Sequence, residues 1–335
     1  MRVEFGAIDH IDRQKIAIAE TYDSRLKLVQ LYDRAGFSTF HITEHHFTPL
    51  GLAPSPLVFL AAASQITQNI RFAPLVLIAT LYNPLRLAAE ICMLDHLSKG
   101  RMEIGTGRGV SPLELAFYNV RESEAPEIYR ESMEVLMAAL TKDMVDYHGK
   151  YLNFSNVPIE MKPLQQPHPP LWYATNSPES AARAARQQTS IVTLLPTNEA
   201  RKVVDGYKES WRAAPCSSGG KMPKVGITRH LYVGESDKRA EERGSFGLRG
   251  FYDKLLYLWK KYNLSNASLL EATHRRDETL IAGTPATVRE KIERELEESD
   301  ANYLVARFAY GDLTHEESVR SLELFAHEVM PHFRD

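Results

Sequence analysis

Glu44, His45 and His46 follow one another where a short apolar run ends, a carboxylate beside two imidazoles. Imidazole titrates near neutrality, so it can take up or deliver a proton or steady a developing anion. If the preceding residues form a strand, its period of two puts His41, Thr43 and His45 on one face and Ile42 and Glu44 on the other. His45 is then the better placed of the two histidines to face a site. A metal centre competes with this reading, but adjacent histidines on a strand point to opposite sides and the spacing is not HExxH. Satisfied polar residues at a strand end are the third reading.

Three other stretches carry candidate chemistry. Gly105-Thr106-Gly107-Arg108-Gly109 lets a ligand approach the backbone closely and places a guanidinium to meet a phosphate or another anion. Thr175-Asn176-Ser177 precedes Pro178, a residue favoured at a first helical position, so hydroxyls and free N–H groups there could cradle a phosphate; ordinary helix capping competes. Ala73-Pro74 lies inside an apolar run, where proline removes a ladder hydrogen bond and marks a bulge, a cis peptide or a trans proline at an irregular strand end.

The elements that must hold these residues alternate in type. Strands are expected over 3–8, 39–45, 70–78, 101–107, 171–174, 190–195, 224–233 and 301–310. Helices are expected over 24–35, 57–65, 84–97, 126–140, 178–187, 198–213, 285–298 and 314–330, with Gly36 as a C-cap. A hairpin around Gly149-Lys150 and a polar, aromatic segment from 234 to 280 interrupt the rhythm. Eight strand–helix units close a parallel barrel, so we expect an α/β fold, a (β/α)8 TIM barrel with an insertion after the seventh strand. Function would then sit at the C-terminal strand ends, where Glu44–His46, Gly105–Gly109 and Thr175–Ser177 fall. The rival, an open doubly wound sheet in two domains, lacks support: there is no GxGxxG opening a βαβ unit, no P-loop and no linker, and GTGRG is too short for a dinucleotide fingerprint.

Composition narrows the partners. The 335 residues carry 40 Lys plus Arg against 43 Asp plus Glu, a net charge of −3, which argues against a nucleic-acid or anionic-membrane surface. Cys92 and Cys216 form no CxxC pair, as expected in a reducing compartment. The charged N-terminus does not read as a signal peptide, and no run of about 18 apolar residues occurs, so a cytoplasmic protein is expected.

Taken together, EHHFTPLG at 44–51, LDHLSKGR at 94–101, GTGRG at 105–109, Gly283-Thr284-Pro285 and MPHF at 330–333 resemble the bacterial luciferase family of flavin-dependent monooxygenases, in order and over essentially the whole chain. The resemblance is strongest to the luciferase α subunit. It implies one domain over 1–335, with 234–283 as an inserted lid that carries Arg275 and Arg276. It implies reduced FMN at the barrel mouth, reaction with O2 through a C4a-peroxyflavin, and oxygenation of a small organic substrate. A separate reductase would supply the flavin, because no nicotinamide motif is visible, and a homodimer is expected. Under the resemblance His45 is catalytic, with His46 beside it and tied more to the subunit interface. Flavin would be held by Glu44, Ala73, Pro74, Gly107, Arg108, Ala174, Thr175, Asn176, Ser177 and Ser180, with a cis peptide at Ala73-Pro74; no metal is implied. The chain departs from the pattern at Gly107, where luciferase has a reactive cysteine, at Thr175-Asn176, where it has Glu-Ser, and at Ala89, where an acidic interface residue stands. Relatives that use a deazaflavin for hydride transfer, and a non-catalytic flavin-binding partner subunit, are the alternatives.

Overall fold

In the computed structural model, which describes residues 3–215, 220–264, 273 and 275–334, short apolar segments line up in parallel as staves around a common axis. Cys216 and the Arg276 side chain lie outside the described residues. Each stave except the seventh is only four to six residues long, and is apolar on both faces because side chains fill the barrel inside while helices cover it outside.

In chain order the elements begin with β1 (Glu4–Asp9), α1 (Ile18–Ala35), β2 (Thr39–Ile42) and α2 (Pro56–Gln65). The third stave is split into β3 (Arg71–Pro74) and β4 (Leu77–Ile78) and leads to α3 (Pro84–Leu97). Then come β5 (Ile104–Gly107), α4 (Pro112–Phe117), α5 (Ala125–Thr141) and the antiparallel hairpin β6 (Met144–His148) and β7 (Asn153–Pro158). The second half runs β8 (Leu171–Ala174), α6 (Pro178–Arg186), β9 (Ser190–Thr193), α7 (Thr197–Ala213) and β10 (Val225–Val233). It closes with α8 (Asp237–Leu255), α9 (Tyr257–Lys261), β11 (Leu280–Gly283), α10 (Pro285–Ser299), β12 (Tyr303–Arg307) and α11 (His315–Leu324). No helix among the described residues is long and apolar enough to cross a membrane.

The ring runs β1-β2-β3/β4-β5-β8-β9-β10-β12 and returns to β1, with Ala7 in register with both Phe40 and Ala306. Phe72 bridges to Met102, and Leu77 and Ile78 pair with Thr106 and Gly107, which carries the sheet across the split stave. β11 adds to the side of β10. This is the expected (β/α)8 barrel.

Two differences from the sequence reading have clear causes. The segment after the seventh stave begins as a regular helix, α8, whose Gly244, Gly247 and Gly250 lower helix propensity and hide its period. Those glycines serve packing: a Cβ on Gly247 would lie 3.0 Å from Leu313 Cγ. The cis peptide falls between Leu75 and Val76, two residues beyond the expected Ala73-Pro74. Ala73 and Pro74 stay in register with His41 and Ile42, and the Leu75 N–H donates to the Ile42 carbonyl at 2.7 Å, so pairing continues past the proline and breaks after it.

Inside the barrel, Ile8, Leu75, Trp172, Val192, Tyr303 and Val305 fill the axis beneath the mouth. Gly6 is required there, since a Cβ would meet the Tyr303 hydroxyl at 1.8 Å. His41 is fully buried among them, close edge-on to Trp172 and hydrogen-bonded to Tyr303.

Candidate active site

A cavity of about 530 Å³ opens at the C-terminal ends of the staves, a normal size for a small-molecule site. One wall is apolar, from Leu75, Val76, Ile78 and Val192. Polar side chains come to the cavity from the segments just past β1 and β2, from the ends of β5, β8 and β12, from within β10, and from α4.

His45 lines this cavity. Its Nδ1 lies 3.2 Å from Glu114 Oε1, while Glu114 Oε2 accepts the backbone N–H of His46 at 2.9 Å. Glu114 is positioned by α4, which starts at Ser111, whose hydroxyl accepts the Glu114 N–H, and at Pro112 in the first helical position. The buried carboxylate therefore orients the imidazole and leaves its Nε2 edge for the cavity. His10 stacks on His45 with ring centroids 5.6 Å apart. Burial, and then the charge of Arg307, hold His10 well below the usual histidine pKa, so it is neutral.

His46 turns the other way. Its Nε2 donates to Glu44 Oε1 at 2.8 Å and its Nδ1 accepts from the Tyr118 hydroxyl at 2.9 Å, so it borders a side groove and not the cavity. His46 is therefore not brought to the cavity with His45: the chain has left β2 at Ile42, and Glu44 and Tyr118 hold its imidazole on the groove side. Glu44 does line the cavity, although its carboxylate is engaged, accepting the Ile78 N–H at 2.9 Å and the Tyr82 hydroxyl at 3.0 Å.

Gly107, Arg108, Ala174, Thr175, Asn176 and Ser177 all line the cavity as expected. Arg108 is exposed, and its guanidinium has no hydrogen bond or ion pair among the described residues. Ser177 caps α6, accepting the Ser180 N–H at 3.3 Å, and its hydroxyl donates to Glu179 Oε2 at 2.6 Å. The exposed Glu179 carboxylate thus sits at the helix start, where the hydrogen bond from Ser177 lowers its pKa. Asn176 Oδ1 accepts from the Thr193 hydroxyl at 2.9 Å, which ties the turn to β9. Ser180 is one turn removed from the cavity, and Ala73 and Pro74 are buried in β3 below it; Leu75 and Val76 take their place in the wall.

The sequence reading missed His10, Glu114, Thr228 and Arg307, all of which line the cavity, as does Thr43, which the strand period places on the His45 face. Arg307 carried a signal, a lone charge in the apolar run 301–310; Glu114 carried none, lying in a six-residue helix in a loop.

The sequence pattern of the luciferase-like monooxygenases matches residues 1–302. An uncharacterized protein, y4wF of Sinorhizobium fredii, is 35% identical over 98% of this chain and 97% of its own. The oxygenase component of a flavin-dependent trigonelline monooxygenase of Acinetobacter baylyi is 26% identical over 99% of this chain and 96% of its own. Among solved structures, the oxygenating constituent of 3,6-diketocamphane monooxygenase of Pseudomonas putida, a type II Baeyer-Villiger enzyme in complex with FMN, superposes with a TM-score of 0.80 at 22% identity, covering 99% of both chains. With its parallel barrel and the matched motifs at the strand ends, the chain belongs to the luciferase-like monooxygenase family.

Proposed function

We propose that the protein is the oxygenase component of a two-component monooxygenase that uses reduced FMN and O2 to oxygenate a small organic substrate. The observation that carries this reading is the union, in one cavity, of the oriented His45–Glu114 pair with an Arg108 that has no side-chain partner among the described residues and the start of α6. The residues suit FMN. Arg108 and the Thr175–Ser177 turn offer a cation and hydroxyls to a phosphate monoester, and Leu75, Val76 and Ile78 offer an apolar wall to a planar ring. Bound reduced FMN would supply the two electrons with which O2 gives one oxygen atom to the substrate and one to water.

The chain's own residues do the rest. Glu114 holds His45 so that Nε2 can give or take a proton at the cavity. The apolar wall keeps water from that region. Segment 234–283 serves as the lid: within it Arg275 pairs with Glu199 of α7 and with Glu278, a contact that would anchor a closing segment to the barrel. A separate reductase delivers the flavin, as the name of the Acinetobacter relative also suggests.

Anaerobic titration with reduced FMN tests the reading, followed by mixing with O2 and a substrate panel. Tight binding and oxygenated product are expected. Binding of a deazaflavin in place of FMN would replace the proposal with a reductase on the same barrel. Flavin binding with no product from any substrate would favour a partner subunit.

A further inference from the structure

Across the barrel mouth from β5 and Arg108, the end of β12 carries a second guanidinium, Arg307. It is 1% exposed, yet it lines the cavity. Its register partner on β10 is His230, and Nη1 donates to His230 Nε2 at 2.7 Å. The guanidinium carbon lies 4.9 Å from the centroid of the Phe251 ring, but Nε and Nη2 have no hydrogen-bond partner among the described residues. A buried cation without a counter-ion is costly, and proteins keep such a group where something else completes it.

No carboxylate among the described residues forms an ion pair with it. The two nearby acids are engaged: Asp9 pairs with Arg25 at 3.2 Å, and Asp12 pairs with Arg25 at 3.1 Å and with Lys254 at 2.7 Å. Three buried or half-buried cations, counting Arg307, therefore share two carboxylates. The flanking imidazoles add no negative charge; His10 and His230 are both held neutral by burial and by Arg307 itself. Burial pulls Arg307 down to about 10, which leaves it protonated at neutral pH.

Further unpartnered polar atoms gather on the same wall. The Thr228 and Thr43 hydroxyls and His10 Nδ1 are buried without hydrogen-bond partners among the described residues, and all three residues line the cavity. Hydroxyls, a neutral imidazole and a guanidinium edge can together surround an oxyanion, the guanidinium through paired N–H donors. A neutral acceptor would satisfy the donors but leave the charge uncompensated.

We infer that Arg307, with Thr228, Thr43 and His10, receives a substrate carboxylate, so that the protein acts on small organic acids. The inference rests on the proposed oxygenase reading, because it assigns β10 and β12 to substrate and β5 and β8 to flavin phosphate.

Benzoate and the isosteric neutral benzamide are suitable probes, titrated calorimetrically into the purified protein without flavin, with reduced FMN binding measured separately. Wild-type protein is expected to bind benzoate at least about tenfold more tightly than benzamide, with benzoate raising Tm. Arg307→Met should abolish the preference, Arg307→Lys should retain part of it, and both should bind reduced FMN as wild type does. If Arg307→Met does not fold, Thr228→Val should still weaken benzoate severalfold. Equal binding of the two probes, or a preference that survives Arg307→Met, overturns the proposal. So does loss of FMN binding in Arg307→Met with the benzoate preference intact, which would assign the arginine to the cofactor. Benzoate binding in a protein that ignores reduced FMN would instead sink the oxygenase reading and leave the acid receptor standing.

Discussion

Glu114 spans two consecutive residues: one carboxylate oxygen lies 3.2 Å from His45 Nδ1, and the other accepts the His46 backbone N–H at 2.9 Å. The second bond fixes the carboxylate, and the first lets it fix the imidazole. His45→Ala should therefore lower turnover roughly 100-fold or more while leaving reduced-FMN affinity nearly unchanged. Glu114→Ala should lower kcat, with flavin affinity kept, and Glu114→Gln should recover part of the loss because an amide oxygen can still accept from Nδ1. Equal loss in the Ala and Gln variants would remove the positioning role.

Arg108 has no partner among the described residues, and its service to a phosphate is separable from binding of the flavin ring. Arg108→Ala should weaken FMN roughly tenfold to a hundredfold, the worth of a charge-assisted pair, and leave riboflavin affinity almost unaltered. Parallel titrations with the two flavins decide this; an equal loss for both would place Arg108 elsewhere than at the phosphate.

Glu179 presents an anion where the start of α6 would meet that phosphate, held by the Ser177 hydroxyl at 2.6 Å. Because the residue is exposed, the carboxylate can swing away, but its charge still opposes a phosphate. Glu179→Gln is expected to tighten FMN by about threefold to tenfold at low salt, and by less at high salt as screening grows. Unchanged affinity at low salt would show that the phosphate does not approach this helix.

The barrel interior makes stability depend on pH. His41 Nδ1 donates to the Ala73 carbonyl at 3.2 Å and Nε2 accepts from the Tyr303 hydroxyl at 3.0 Å. Burial, and secondarily the Lys224 charge, pull its pKa from 6.5 to about 3. Between those values the unfolded chain binds a proton that the folded chain refuses, so stability is full above the ordinary value and falls as pH drops through the window. The loss approaches about 1.4 kcal/mol per pH unit for this one group. Urea unfolding from about pH 7 to about pH 4.5 should show it, and His41→Gln should remove one proton's share of the slope; an identical slope in that variant would refute the assignment.

The barrel was legible in the sequence because it rests on local patterns. Apolar runs such as 70–78 and proline at the first position of α2, α3, α6 and α10 mark staves and helices without knowledge of their neighbours. For the same reason His45, Arg108 and the Thr175–Ser177 turn could be found, each standing at the end of a readable strand. Three things were not local. The bend of the chain past Pro74 put Leu75 and Val76, not Ala73 and Pro74, against the cavity. Glu114 reaches His45 across 69 positions of sequence. Arg307 gains its meaning only from closure of the ring, which brings β12 beside β10 and β1 and leaves a buried guanidinium at the cavity with two nitrogens that have no hydrogen-bond partner among the described residues. Period and capping are written within a few residues of chain, whereas pairing and charge balance are sums over elements far apart, and only the folded barrel performs them.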